Sequence, residues 1–138
     1  MLNLLRIINY LKPSDTVLAH CDIPCGIYDP HDAIEAAQTC IRMTELILEK
    51  KDSGDTNSIT RYIVAKEDHA KKAKDDLLII WTDYFKPEHL ENYPDLHEKV
   101  WSACKLGSSV KQGVDMKAAQ DFKAAIEEIG NIFWETKK

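Results

Sequence analysis

The sequence predicts an all-α fold, an antiparallel four-helix bundle preceded by a donor-rich N-terminal hook. Three observations carry that prediction. Four stretches repeat apolar residues at helical spacing. The connections between them are short and rich in turn residues. One eleven-residue segment, His20-Cys21-Asp22-Ile23-Pro24-Cys25-Gly26-Ile27-Tyr28-Asp29-Pro30, cannot be a helix interior, because Pro24 and Pro30 lack an N–H and clash with the preceding turn. Four antiparallel helices with short connections satisfy this pattern.

The first helix should start at Asp29-Pro30, with Asp29 as cap, Pro30 in the first helical position and Asp32 adding negative charge. Its stripe is Ile34, Ala37, Cys40/Ile41, Thr44 and Ile47/Leu48, and it should stop near Lys51, before Asp52-Ser53-Gly54-Asp55. The second should begin near Asn57 or Ser58. It carries Ile59, Ile63, Ala70, Ala73, Leu77, Ile80/Trp81 and Tyr84 inward and ends at Lys86-Pro87. Leu77-Leu78-Ile79-Ile80-Trp81 is strand-like by itself but lies within a long helical register. Residues 87–93 suggest a short helical turn. A third helix is expected from Pro94 to about Lys105, with Leu96, Val100, Trp101 and Cys104 inward and Gly107-Ser108-Ser109 ending it. The fourth, from about Asp115 to Phe133, has the strongest amphipathic pattern: Ala118/Ala119, Phe122, Ala125/Ile126, Ile129 and Ile132/Phe133.

A chain of 138 residues, 44% hydrophobic and 30% charged, suits one domain with a real core. Its formal charge of −5 and the lack of a basic stripe with interleaved aromatics argue against nucleic acid. No apolar run approaches the ~20 residues of a membrane span. Cys40 and Cys104 fall beside apolar neighbours on helix faces. They are read as reduced core or interface residues, a disulfide being the lesser alternative.

Residues 1–19 read as a removable leader, or pro-peptide, and residues 20–138 as hook plus bundle. The leader carries Arg6, Lys12 and Asp15, a net +1, so the remainder is near −6. Val17-x-Ala19 before His20 mimics a signal-peptidase site, but Arg6, Asn9 and Lys12 interrupt the apolar run an export signal needs. The expected location is cytoplasmic. The other reading is a retained N-terminal helix.

The hook has its own chemistry. Gly26 makes a sharp reversal after Cys25 cheap, so a Cys-x-x-x-Cys pair can aim both sulfurs at one point. Thiolates favour zinc, copper(I), iron–sulfur clusters or, with nitrogen donors, nickel. Cleavage before His20 would free an α-amine with an unperturbed pKa of ~7.7–8 on the residue that also offers an imidazole. Amine, Cys21 amide and two thiolates then form a planar N₂S₂ set with the imidazole axial, which suits Ni(II) or Cu(II) better than tetrahedral zinc. The alternatives for Cys21 and Cys25 are a local disulfide or part of a zinc site, and for His20 a surface histidine.

The run H-C-D-I-P-C-G-I-Y-D-P closely resembles the nickel-binding hook of nickel superoxide dismutases. Further matches are Ile34-Glu35-Ala36, Trp81-Thr82-Asp83-Tyr84-Phe85-Lys86-Pro87, Tyr93-Pro94-Asp95-Leu96-His97 and Ile132-Phe133-Trp134-Glu135-Thr136-Lys137-Lys138. The resemblance runs from His20 to the C-terminus. It implies a superoxide dismutase that disproportionates superoxide to dioxygen and hydrogen peroxide by Ni(II)/Ni(III) cycling. The metal ligands would be His20, Cys21 and Cys25, the cofactor a nickel ion. It also implies a maturation protease for the leader, a homohexamer, and a cis bond at Ile23-Pro24.

By the same resemblance Tyr28 lies over the open face of the metal, gating small anions, and Tyr84 is a second tyrosine near that approach. The plain alternatives are packing of the loop on the bundle for Tyr28 and a core position for Tyr84. Glu35 corresponds to a carboxylate that orients the axial imidazole, or else is an exposed helix glutamate. Where the family carries an arginine this chain has His69, whose charge depends on pH. Asp22 could brace the hook or be solvated. Lys86 is read as a local steering charge for an anion, or part of a solvated face. His31, His89 and His97 are read as surface or capping residues. The competing functions are a non-catalytic nickel carrier or a metal/redox sensor, and a purely structural helical oligomer with an incidental Cys pair. For assembly the sequence itself offers only apolar surface, such as Trp101, Phe133 and Trp134, that could meet partners.

Overall fold

A computed structural model describes residues 26–138; residues 1–25, and with them the leader, the ligand positions and Ile23-Pro24, lie outside the described residues. The described chain is all-α, with five α-helices and one π-helical turn and no strands. The long helices are α1 (His31–Lys50), α2 (Thr56–Ile79), α4 (Leu96–Gln112) and α5 (Met116–Thr136). Between α2 and α4 lie the π turn Ile80–Tyr84 and the short α3 (Pro87–Asn92). None of the described helices is long and apolar enough to cross a membrane.

The helices start where their caps satisfy the first N–H groups. Asp29 Oδ1 accepts the His31 N–H at 2.8 Å, so Asp29 caps from one residue beyond Pro30. For α2 the cap is Asp55, not Asn57 or Ser58. Its Oδ1 accepts the Ser58 N–H at 3.1 Å, once Gly54 has reversed the chain at φ +72. Asp115 accepts from the Lys117 and Ala118 N–H groups at the start of α5. Lys50 pairs with Asp55 and holds its carboxyl below the usual range.

Cross-contacts fix the topology. Asp32 meets Lys72 while Cys40 meets Lys66, so α1 and α2 run antiparallel. Lys66 reaches Val110, Lys74 reaches Ser108, and Trp81 meets His97, so α2 and α4 are antiparallel too. Lys99 with Glu128 and Tyr93 with Glu135 give the same sense to α4 and α5. Residue Gly130 of α5 lies against Pro30 and Ile34 of α1, which closes the bundle. Ala33, Ala36, Ala37 and Cys40 face Ala70, Ala73 and Leu77, with Val100, Ala103, Phe122, Ile126 and Ile129 completing the core. Small side chains let the backbones of α1 and α2 approach closely, and the larger aromatic and aliphatic residues of α5 fill the remaining space.

Helix α4 departs most from expectation. It runs past Gly107-Ser108-Ser109 to Gln112. Gly107 is a point of close approach: a Cβ there would lie 2.8 Å from Phe122 Cζ and 2.8 Å from Lys74 Cγ. The two serine hydroxyls donate back to the Cys104 and Lys105 carbonyls, so they do not break the helix. With that register Ala103 and Val110 turn inward, and Trp101 is 57% exposed beneath the Lys105 ammonium. Gly107→Ala is expected to cost about 1–3 kcal/mol by overpacking. Urea denaturation would check this, with a midpoint equal to the parent's contradicting it.

The second helix does not continue unbroken to Lys86. After Ile79 the winding widens, and the Phe85 N–H bonds to the Ile80 carbonyl at 3.2 Å, five residues back. Phe133 is fully buried and cannot be interface surface, while Trp134 remains 40% exposed. Helix α5 extends three residues beyond Phe133.

Candidate active site

The chain emerging from the hook is seated on two helix ends. Gly26 has φ +74, a left-handed conformation that glycine adopts without penalty. Two residues on, Tyr28 is 5% exposed and packs with Ile80 and Phe133. Its carbonyl accepts from Lys137 Nζ at 3.1 Å, and that ammonium sits over the Phe133 and Trp134 rings. Pro30 then rests on Gly130, where a Cβ would already touch it at 3.4 Å.

Tyr84 stands opposite Tyr28, ring centroids 6.0 Å apart and nearly edge-on. The π turn presents Tyr84 while the C-terminal end of α5 holds it. Its ring packs 4.3 Å from that of Phe133. The Thr136 hydroxyl donates to the Phe133 carbonyl at 2.9 Å, which leaves its oxygen to accept from the Tyr84 hydroxyl at 3.0 Å. Gly26, Tyr28, Asp83, Tyr84, Lys86, His89 and Thr136 line one cavity of about 350 Å³. The two tyrosines singled out in the sequence are therefore brought together, with Lys86 on the same wall. The lining brings the Lys86 ammonium, the Asp83 carboxylate, the His89 imidazole and the Tyr84 hydroxyl around one small space.

Glu35 is placed elsewhere. It is exposed on α1 and, with Asp32, Ala36, Thr39, His69 and Lys72, lines a separate cleft of about 170 Å³. His69 donates from Nδ1 to the Ala65 carbonyl at 2.7 Å, which leaves Nε2 as the ring's other polar atom. Lys72 bridges Asp76 at 2.6 Å and Asp32 at 3.6 Å. Glu35 and His69 thus share a cleft, but it is not the one lined by Tyr28 and Tyr84.

The two described cysteines are free. Cys40 is fully buried and donates to the Lys66 carbonyl at 3.5 Å; burial pushes its thiol up to about 11. Cys104 is half-buried and raised for the same reason. Neither is a thiolate at neutral pH. Among the described residues no three His, Cys, Asp or Glu side chains converge as a metal cluster. The ligand positions expected from the sequence, His20, Cys21 and Cys25, lie outside the described residues; two sulfurs with nitrogen donors are a set whose chemistry suits nickel.

Two residues have a setting beyond what the sequence pattern shows. His89 caps the short α3, its Nδ1 accepting the Lys86 N–H, as the capping reading expects, and it also lines the Tyr84 cavity, half-buried. Lys66 is buried and donates to carbonyls at the end of α4. The Tyr84-x-Lys86-x-x-His89 spacing around Pro87 was the available signal for the first. A lysine among Ile63, Ala70 and Ala73 on an inward stripe was the signal for the second.

Known proteins agree with this architecture. The profile of the nickel-containing superoxide dismutase family matches residues 15–137. The nickel superoxide dismutase of Streptomyces coelicolor is 41% identical over 126 residues, covering 91% of this chain and 94% of that one. That of Streptomyces seoulensis is 42% identical over 127 residues, with the same coverage. A native crystal structure of nickel superoxide dismutase superposes with a TM-score of 0.79 at 40% identity, over 86% of this chain and all of that one. An apo structure gives 0.75 at 38% identity, over 81% of this chain and 98% of the other. With the family profile spanning nearly all of the sequence and the same helical bundle in the solved relatives, the chain belongs to the nickel-containing superoxide dismutase family.

Proposed function

We propose that this protein disproportionates superoxide to dioxygen and hydrogen peroxide, with His20, Cys21 and Cys25 holding nickel after the leader is removed. The observation that carries the reading is the joining of the hook to the Tyr28–Tyr84–Lys86 cavity through Gly26. Bound nickel supplies the one-electron redox chemistry, cycling between Ni(II) and Ni(III). The chain does the rest. Cys21 and Cys25 supply two anionic sulfurs and His20 an amine and an imidazole. Tyr28 and Tyr84 narrow the approach to a small anion with their rings. Lys86 adds local positive charge to an acidic protein, which favours entry of an anion. Glu35, which shares its cleft with His69 and not with the two tyrosines, would orient the His20 imidazole, an outer role that in other metal sites is worth 10–100-fold in affinity or activity.

The leader, residues 1–19, is removed by a maturation protease, the mature chain works in the cytoplasm, and it assembles as a homohexamer. Exposed Trp101 and Trp134 supply apolar area for such contacts.

The test compares two purified proteins, the full chain and a chain beginning at His20, each incubated with nickel. Nickel per chain and superoxide consumption are measured. The second should bind one nickel and consume superoxide; the first should do neither. Equal activity of both, or activity without nickel, would overturn the amine-ligand reading. Nickel binding without superoxide consumption would make the protein a carrier.

A further inference from the structure

We infer that His89 is a positioning residue for substrate entry, locking Tyr84 and the Lys86 backbone into one unit on the cavity wall. The inference rests on the proposed role of that cavity as the anion's approach. Three contacts carry it. His89 Nδ1 accepts the Lys86 N–H at 3.1 Å. Its ring stacks on Tyr84, centroids 5.5 Å apart and planes 21° from parallel. Its edge meets Phe85 at 5.8 Å, planes 86° apart.

These contacts act on different degrees of freedom. An extended peptide carries the chain from Phe85 through Lys86 into α3, with Lys86 at φ −127 and ψ 164. Pro87 favours that extended conformation at Lys86, but gives the Lys86 N–H no partner. His89 supplies the partner from the first turn of α3, so the direction in which the Lys86 side chain leaves the backbone is fixed. The stacked ring closes one face of Tyr84, whose other neighbours are Phe133, Phe85 and Tyr28. The phenol is then held at its ring by His89 and at its hydroxyl by Thr136. Because Nδ1 accepts, the neutral ring carries its proton on Nε2 and keeps a donor. One residue thus couples the two groups that meet the anion.

Two variants of the nickel-loaded protein separate the contacts. His89→Phe keeps a flat ring against Tyr84 and removes the acceptor. His89→Asn keeps an acceptor near Nδ1 and removes the ring. The readouts are nickel per chain, steady-state kinetics over a range of superoxide concentrations, and the inhibition constant of azide as a probe anion. Each variant is expected to hold the parent's nickel and to weaken azide by about fivefold, in His89→Phe through one lost hydrogen bond and in His89→Asn through the lost ring pair with Tyr84, with KM moving more than kcat. A purely structural histidine would lower thermal stability without moving the azide constant. The inference is overturned if both variants keep the parent's azide constant at equal nickel, or if both lose nickel. If one loses nickel, the other decides. Tyr84→Phe and Lys86→Met guard the underlying reading. If they shift azide and the His89 variants do not, the His89 inference alone fails; if none does, the cavity is not the anion's path.

Discussion

Cys25→Ser is expected to abolish dismutase activity, by at least about 100-fold given that even outer residues of metal sites are worth 10–100-fold. The reason is ligand softness. A serine hydroxyl is protonated at neutral pH and is a hard oxygen donor, so the site keeps one thiolate where two are needed to favour the higher oxidation state of nickel. The fold should survive, since the main packed core of Ala33, Ala37, Cys40, Ala70, Phe122 and Ile126 is drawn from the long helices. Far-UV circular dichroism should therefore match the parent while nickel content and superoxide consumption fall. Cys40→Ser is the internal control. Its thiol is buried and stays protonated, so activity should persist. Nickel-dependent activity in Cys25→Ser at the parent's level would show that the assigned ligand set is wrong.

Lys66→Met should produce the largest loss of stability, about 3 kcal/mol and roughly 10 °C in melting temperature. Lys66 is 1% exposed and lies on the inward face of α2. Its ammonium donates to the Val110, Lys111 and Gly113 carbonyls, the free end of α4 and the residue just beyond it. These carbonyls have no partner within the helix, and they form the negative end of its dipole. Methionine preserves most of the methylene volume but brings no donor, so buried oxygens lose their hydrogen bonds. Burial pushes the Lys66 ammonium down from the ordinary lysine range, and that desolvation offsets part of what the carbonyls contribute. Urea titration decides the sum: an unchanged midpoint in Lys66→Met would mean the two terms cancel.

The sequence made the bundle legible because each long helix has an inward stripe, and Asp29, Asp115 and Pro87 mark boundaries; Asp55, the cap of α2, reads as loop chemistry instead. It misled where one residue type serves two purposes. Gly107 reads as a stop in a one-dimensional pattern, but the reason for it is across the bundle, in Phe122 and Lys74. The stripe through Ile80, Trp81 and Tyr84 assumed one winding, and no local propensity announces a wider turn. In the site, Tyr28 and Tyr84 were recognisable from motif resemblance, and the bundle brings them together. His89 is legible as a cap, but its place against Tyr84 is not, because that depends on Pro87 setting an extended peptide before a short helix. Lys66 was hidden by the expectation that lysines are solvated, which holds only until a helix end offers three carbonyls.

The wide turn between α2 and α3 has a consequence for evolution as well as for geometry. One extra residue in a helical coil rotates everything downstream by about 100° relative to ordinary winding. The phenol of Tyr84 therefore owes its aim to a phase offset upstream of it. A single-residue deletion between Ile80 and Asp83 would leave every cavity side chain in the sequence and yet swing that ring off its wall. Conversely, such an insertion is a one-step route by which a plain structural helix could come to point an aromatic gate at a reactive loop.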